Sequence, residues 1–141
     1  MNNQYKAEFD KAKNKLRTQR LIDVLDYFWH QRQFAIYNFN FEHIEKLNHL
    51  GGTVSEMLMP EDYRRTLHWQ DIRQKTLADH PRCITCKRHA ECAHHNQYHE
   101  ILFVERPGKD VVSMCHDCHQ TFHENRSVIS FHEIHELKRV N

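Results

Sequence analysis

Two C-x-x-C pairs constrain this chain more than any other feature of its sequence. The first pair is Cys83 and Cys86, and the second is Cys115 and Cys118. Zinc takes four ligands in a tetrahedron, and two such pairs supply four thiolates. The segment between them, 87–114, holds 28 residues, which is more than the roughly 15–20 of an ordinary zinc ribbon. The spacing predicts a structural four-cysteine zinc site with an element inserted between its two halves.

Two other metal sites are weaker alternatives. The second pair is followed by His119, and Cys-x-x-Cys-His is also the attachment signature of c-type haem. Haem would leave the first pair unexplained and would need an export route. A two-cysteine, two-histidine finger fails because no second histidine follows His99 at the required spacing. We therefore favour zinc, with Cys92 as a small buried residue rather than a fifth ligand.

Composition and charge narrow the class of protein. No run of about 18 apolar residues is present, and the polar N-terminus has no apolar signal segment. We therefore expect a cytoplasmic protein without membrane attachment, in which five cysteines favour metal over disulfides. The net charge is only +1, from 20 basic and 19 acidic residues. Any nucleic-acid binding must therefore depend on locally arranged basic groups.

Histidine is the residue type in excess. The chain has 14, and ten of them lie within residues 80–135, together with all five cysteines. His119 and His123 are four residues apart, so a helix places both imidazoles on one face, as zinc-binding helices do. His94 and His95 are neighbours on a predicted strand, and alternation directs them to opposite sides. One of these two can therefore bind a metal while the other serves a different purpose.

Apolar periodicity predicts a helical first half. Helices are expected over 4–38, 42–50 and about 61–78. Gly51 and Gly52 are expected to end the second helix, and a capping box at 53–56 to start a further short one. Core positions are expected for three aromatic residues, Trp29, Phe34 and Phe41. The basic face of the first helix is either solvated or a contact to the DNA backbone.

Beyond residue 82 the pattern changes to short strands and turns. The expected order is a cysteine turn, a strand at 90–95, an apolar run at 101–104, a turn at 106–109, a strand at 111–114 and a helix from Cys118, with a last helix from Ser130. The chain therefore divides into a helical N-terminal extension, 1–60, and a second domain, 61–141, whose core is about 82–125. The predicted fold class is α+β.

These segments resemble the HNH endonuclease family, the ββα-metal nucleases, in the branch with a four-cysteine structural zinc. The matching text is CITC at 83–86, AECAHH at 90–95, DVVSMCHDCH at 110–119, and then His123. The resemblance covers about residues 69–124. It implies a small zinc-supported ββα-metal core behind the helical extension.

The resemblance also implies a role for each matching position. His94, His119 and His123 take the places of the metal ligands, and His95 takes that of the general base. Asp110 stands where the family usually has an asparagine that ties down the loop and orients the base. Aspartate accepts hydrogen bonds but has no amide donor. Five basic residues are either phosphate contacts or solvated charges: Arg82, Lys87, Arg88, Arg106 and Lys109.

The function implied by the resemblance is metal-dependent hydrolysis of DNA, leaving 3′-hydroxyl and 5′-phosphate ends. Imidazole ligands admit Zn²⁺, Ni²⁺, Co²⁺ or Mn²⁺, and the family often uses Mg²⁺ or Mn²⁺. The alternative is a zinc-dependent nucleic-acid-binding module with an inactive or degenerate nuclease site, which Asp110 and the low net charge favour. The extension is either a DNA-targeting element or the means of forming a homodimer.

Overall fold

The computed structural model describes residues 2–96 and 102–125. The chain forms two compact units, and the boundary between them follows Trp69. The elements, in chain order, are α1 (Asn3–Tyr37), α2 (Phe41–Ser55), α3 (Pro60–Tyr63), α4 (Leu67–Asp79), β1 (Cys92–His95), β2 (Val111–Met114) and α5 (His116–Asn125). The mixture of helices with a small antiparallel sheet confirms the α+β class. The helix expected from Ser130 and the start of the 101–104 run lie outside the described residues.

The long first helix is confirmed almost to the residue. The side chain of Asn2 accepts a hydrogen bond from Gln4 N at 3.1 Å and so caps the start of α1. The buried residues of α1 include Ile22, Leu25 and Ala35, and they define the face that packs within the first unit.

Two of the three aromatic residues expected in the core are on the surface. Phe34 is 66 % exposed and Phe41 is 69 % exposed, whereas Trp29 is half-buried. The prediction for Phe34 and Phe41 was wrong because apolar character does not determine which helix face is covered, and the buried residues of α1 and α2 lie at other positions.

The second helix passes through the two glycines that were expected to end it. Gly51 is buried, and its carbonyl oxygen accepts a hydrogen bond from Ser55 Oγ at 2.6 Å. Thr53 Oγ1 donates to the carbonyl of His49 at 3.0 Å. These hydroxyls bond back to the preceding turn instead of capping a new helix. Packing of α2 against α1 outweighs the low helix propensity of glycine.

The third predicted helix is divided into α3 and α4. Thr66 Oγ1 donates to the carbonyl of Tyr63 at 2.7 Å and accepts from Trp69 N at 3.2 Å. Asp26 of α1 accepts from Leu67 N at 2.9 Å. Thr66 is therefore an N-cap, and these two acceptors satisfy backbone donors that a continuous helix would have paired internally.

The second unit contains the two-stranded antiparallel sheet. β1 pairs with β2 from Cys92 opposite Met114 to His95 opposite Val111. The strand predicted at 111–114 is confirmed, and the one predicted at 90–95 is shorter by two residues. A core of Cys83, Val112, Met114, Cys115 and Phe122 lies between the sheet and α5. Among the described residues, no helix combines the length and the apolar character needed to cross a bilayer.

The turn predicted at 106–109 is present and depends on glycine. Gly108 has φ 82°, a conformation that L-residues rarely adopt. Its N–H donates to the carbonyl of Val111 at 2.7 Å, and a Cβ at this position would overlap the imidazole of His80.

We expect Gly108→Ala to lower the free energy of unfolding by about 1 kcal/mol or more. An alanine at this position would be strained by the positive φ, and its Cβ would collide with His80. Urea unfolding of the zinc-loaded protein measures this change. Gly52→Ala, inside α2, is the control, and there alanine should be neutral or stabilising. Equal stability of Gly108→Ala and wild type would contradict the assigned role of the turn.

Candidate functional site

The four cysteines of the two C-x-x-C pairs come together in the second unit. Their Sγ atoms all lie within 4.8 Å of one another, and those of Cys86 and Cys115 are 3.6 Å apart. Thiolates bound to one zinc at about 2.3 Å are roughly 3.8 Å apart in a tetrahedron. The arrangement fits zinc, and four thiolates would complete the coordination sphere, as in structural sites.

A tight backbone turn positions the first pair. Cys83 N donates to the carbonyl of Arg88 at 2.7 Å, and Lys87 N donates to the carbonyl of Cys83 at 3.0 Å. Lys87 adopts φ 68°, which closes the turn. Ile84 N donates to the carbonyl of Ser113 at 2.9 Å. This last bond fixes the turn to β2, close to the strand end that carries the second pair.

The second pair lies at the junction of β2 and α5. Cys115 directly follows the strand and precedes the helix, and its Sγ accepts a hydrogen bond from Cys118 N at 3.4 Å. The thiol thus acts as an N-cap, at the helix end where negative charge is stabilised. Glu91 supports the same end by accepting from His116 N at 3.0 Å. These contacts explain why α5 begins two residues before the predicted position.

The thiols differ in their tendency to ionise. Hydrogen bonds from the backbone and side chain of Arg88 lower the pKa of Cys86 to about 6. Burial of Cys83 raises its pKa, but backbone hydrogen bonds at Cys86 and Cys115 outweigh this effect and lower it overall. Burial and the neighbouring thiols raise the pKa of Cys118 to about 12. A cation bound to the four sulfur atoms is therefore needed to displace the proton from the Cys118 thiol.

Three histidines form a second cluster of potential metal ligands. His94 is on β1, and His119 and His123 are on successive turns of α5. His119 Nε2 lies 3.2 Å from His94 Nδ1 and 2.9 Å from His123 Nε2. Nitrogens that bind one ion at about 2.1 Å are roughly 3.0–3.4 Å apart. The cluster therefore fits a divalent ion, and three protein ligands leave coordination positions for water or substrate.

The three imidazoles are arranged from the interior to the surface. His94 is buried, His119 is half-buried and His123 is exposed. The ring of Phe122, which is fully buried, lies edge-on to His94 with 4.5 Å between ring centroids. Phe122 therefore fixes the position of the His94 ring, while the side of the cluster formed by His123 faces solvent.

His95 is next to His94 but has a different partner. Its Nε2 lies 2.8 Å from Oε2 of Glu105, and the two side chains are 2 % and 0 % exposed. A histidine and a carboxylate in contact and away from water interact more strongly than the same pair at a surface. The contact fixes the orientation of the ring and favours the tautomer with hydrogen on Nε2.

Asp110 holds the loop between the strands. Its carboxylate accepts from Arg106 N at 2.8 Å, Arg106 Nε at 2.9 Å and Arg106 Nη2 at 3.2 Å. These hydrogen bonds lower the pKa of Asp110, so that it is ionised at neutral pH. The Asp110 carbonyl accepts from Asn96 N at 2.7 Å. Asp110 thus ties this loop together through Arg106, while Glu105 supplies the carboxylate against the His95 ring. The role of Asp110 in orienting the base stays a prediction.

Three candidate phosphate contacts lie at the first cysteine turn. Arg82 Nη1 donates to the Lys87 carbonyl at 3.2 Å, and Lys87 Nζ donates to the Ile84 carbonyl at 3.1 Å. Arg88 Nη2 is 3.9 Å from Asp117 Oδ2. Arg82 and Lys87 are therefore engaged within the turn, Arg88 is paired with Asp117 of α5, and Arg106 is engaged by Asp110. The side chain of Lys109 is exposed, and a phosphate contact by any of the five stays a prediction.

No protein family, curated protein or solved structure matches this chain. Of the positions predicted to act together, the four cysteines converge in one cluster and His94, His119 and His123 converge in another.

Glu105 is the residue of this site that the sequence did not indicate. It lies in a turn-forming segment between Val104 and Arg106, where a charged residue is ordinarily solvated. Phe103, which precedes this segment, is fully buried and adopts φ 72°. Anchoring of the loop by Phe103 is consistent with the inward placement of Glu105, but a single aromatic residue in a sequence does not predict a positive φ.

Cys92 is outside both clusters. It is half-buried, and its Sγ lies 3.5 Å from His116 Nδ1. Burial raises the pKa of its thiol, and its position outside the cluster separates it from the four cysteines that could share one ion. Its expected place as a buried residue is confirmed in part, since it is only half-covered.

We expect the purified protein to hold about one zinc ion per chain, and Cys118→Ser to lose it together with the fold of the second unit. Elemental analysis after gel filtration gives the zinc content, and near-ultraviolet circular dichroism reports the packing. Cys92→Ser is the matched control and should keep the metal. Zinc retention by Cys118→Ser, or equal loss from both variants, would show that the cluster is not the binding site.

Proposed function

We propose that this chain is a metal-dependent endonuclease of the HNH type that hydrolyses phosphodiester bonds in DNA. The observation that carries the proposal is the convergence of three imidazoles, His94, His119 and His123, beside the buried pair of His95 and Glu105. A three-ligand metal site next to a histidine oriented by a carboxylate supplies the groups that phosphodiester hydrolysis requires.

The three clustered histidines would hold the catalytic ion. A divalent ion at this site would supply Lewis-acid stabilisation of charge on the scissile phosphate and on the leaving oxygen. The exposed position of His123 leaves that side of the cluster accessible to a phosphate. His94 is buried and packed against Phe122, so this ligand would keep its position when a substrate binds.

His95 is the proposed general base. With the Nε2 hydrogen directed toward Glu105, the lone pair is on Nδ1, which is the nitrogen that takes a proton from the attacking water. The ring then becomes positively charged, and the carboxylate of Glu105 at 2.8 Å stabilises that charge. Asp110 acts indirectly in this proposal, because it holds through Arg106 the loop that carries Glu105.

The alternative is a zinc-dependent nucleic-acid-binding module without hydrolytic activity. The burial of His95 favours it, since a ring that is 2 % exposed and held by Glu105 has little contact with water. The four-cysteine cluster serves both functions equally, so it does not discriminate between them. Cleavage of DNA is the property that separates the two proposals.

We expect the zinc-loaded protein to cut supercoiled plasmid DNA when Mg²⁺, Mn²⁺, Ni²⁺ or Co²⁺ is added, and His95→Ala to cut about 10²- to 10⁴-fold more slowly because the base is lost. Agarose gels of the time course give the rates. His89→Ala is the control, since His89 is exposed beside the first cysteine turn, and it should cut as wild type does. DNA binding without cleavage in every metal would favour the alternative.

We expect Glu105→Gln to lower kcat at least about tenfold with little change in KM, because the variant keeps the shape of the side chain but loses the charge that stabilises protonated His95. Steady-state cleavage of a short fluorescent duplex gives both constants. Glu124→Gln, on the exposed surface of α5, is the matched control. A purely structural Glu105 would instead change the melting temperature and leave kcat of the folded fraction intact.

A further inference from the structure

Helix α1 carries a line of exposed apolar side chains on the face opposite to its buried face. Five large side chains form this line, and each is 60–66 % exposed: Tyr5, Phe9, Leu16, Tyr27 and Phe34. Successive residues of a helix are about 100° apart, which places all five within roughly 40° of one another. Ile22 and Leu25, which are buried in the first unit, project from the other side. We call the five residues the α1 line.

Within the part of the chain that the structure describes, the first half of α1 lacks the packing that normally stabilises a helix. Every residue from 3 to 17 is exposed, and isolated helices of about 12–15 residues are only marginally stable in water. Several large apolar side chains exposed along one side of a helix favour an interface there. The α1 line extends from this half into the second half of the helix, so that a partner covering it must be about as long as α1.

The charges on α1 are divided along its length. Residues 3–20 carry six basic and two acidic side chains. Residues 21–37 carry Asp23, Asp26 and one basic residue, Arg32, which is buried. The first half of α1 therefore has a net positive charge, whereas the second half presents the exposed Asp23 and the half-buried Asp26. The positive charge that would attract DNA is confined to the first half, whereas Tyr27 and Phe34 lie in the second half.

The arrangement points to a second copy of this chain as the partner, and we propose that two α1 helices pair antiparallel through the α1 line. Antiparallel pairing sets the basic half of each helix against the acidic half of the other, whereas parallel pairing would oppose the two basic halves. The surface is self-complementary, as a two-fold interface requires.

One register pairs four of the five residues of the α1 line and also the charged residues at its centre. With the two-fold axis between residues 21 and 22, Leu16 of one copy is level with Tyr27 of the other. Phe9 is then level with Phe34, and Arg20 with Asp23. The five exposed side chains, with the stems of the flanking lysines, amount to on the order of 700 Å² per chain, close to the roughly 800 Å² that each partner contributes to a standard interface.

The first test is the oligomeric state of the zinc-loaded full chain by sedimentation equilibrium. Wild type should be a dimer at micromolar concentration, and Leu16→Glu should raise the dissociation constant at least tenfold. Asn14→Glu is the matched control, because it adds the same charge in the same turn of α1. Asn14 is also exposed, but it lies on the opposite side of the helix. Monomeric wild type, or equal weakening by both variants, would overturn the proposal.

The second test establishes the direction of pairing. Arg20→Glu should weaken the dimer about 2- to 30-fold, because the two-fold axis creates two Arg20–Asp23 pairs and both are lost. Adding Asp23→Arg in the same chain should restore both pairs with the charges exchanged. No restoration by the double variant would overturn the antiparallel register. A wild-type monomer whose DNA affinity, rather than self-association, is lost in Leu16→Glu would identify the α1 line as a DNA surface and would also overturn the proposal.

Discussion

The second unit depends on four thiols that must meet although 28 residues separate the two pairs. The sheet consists of two strands of four residues each, and a hairpin of that size is at best marginally stable in water. The core around it is small and includes the cysteines themselves. A metal bound by all four cysteines would therefore contribute directly to the folding of this unit.

The candidate structural and catalytic sites share the same secondary-structure elements. Cys115 ends β2 and caps α5, and one turn later the helix presents His119. On the paired strand, alternation sends His94 toward α5 and His95 toward Glu105. Any change that moves the cysteine cluster therefore moves the imidazoles as well. His119 lies one helical turn beyond Cys115, and His94 lies on the strand paired with β2.

The features that the sequence predicted well are those determined by local spacing. Two residues that are four apart on a helix share a face, so His119 and His123 could be placed together, and strand alternation separated His94 from His95. Packing between elements decides the features that the sequence predicted poorly. Gly51 and Gly52 lie inside a helix because α2 packs on α1. Phe34 and Phe41 are exposed because other residues form the buried faces of their helices. Glu105 was missed because its burial depends on a loop conformation that no local pattern encodes.

The graded exposure of the three imidazoles has a kinetic consequence. In the proposed site, an ion arriving from solvent would meet His123 first and the buried His94 last, so that its capture and release would proceed through partly coordinated states. Exchange of this ion should be fast compared with exchange of zinc from the four-cysteine cluster, where two of the thiols are buried. Imidazole ligands discriminate weakly among divalent transition metals. The metal in the three-histidine site would then follow the supply of free ions around the protein rather than the metal present when the chain folded.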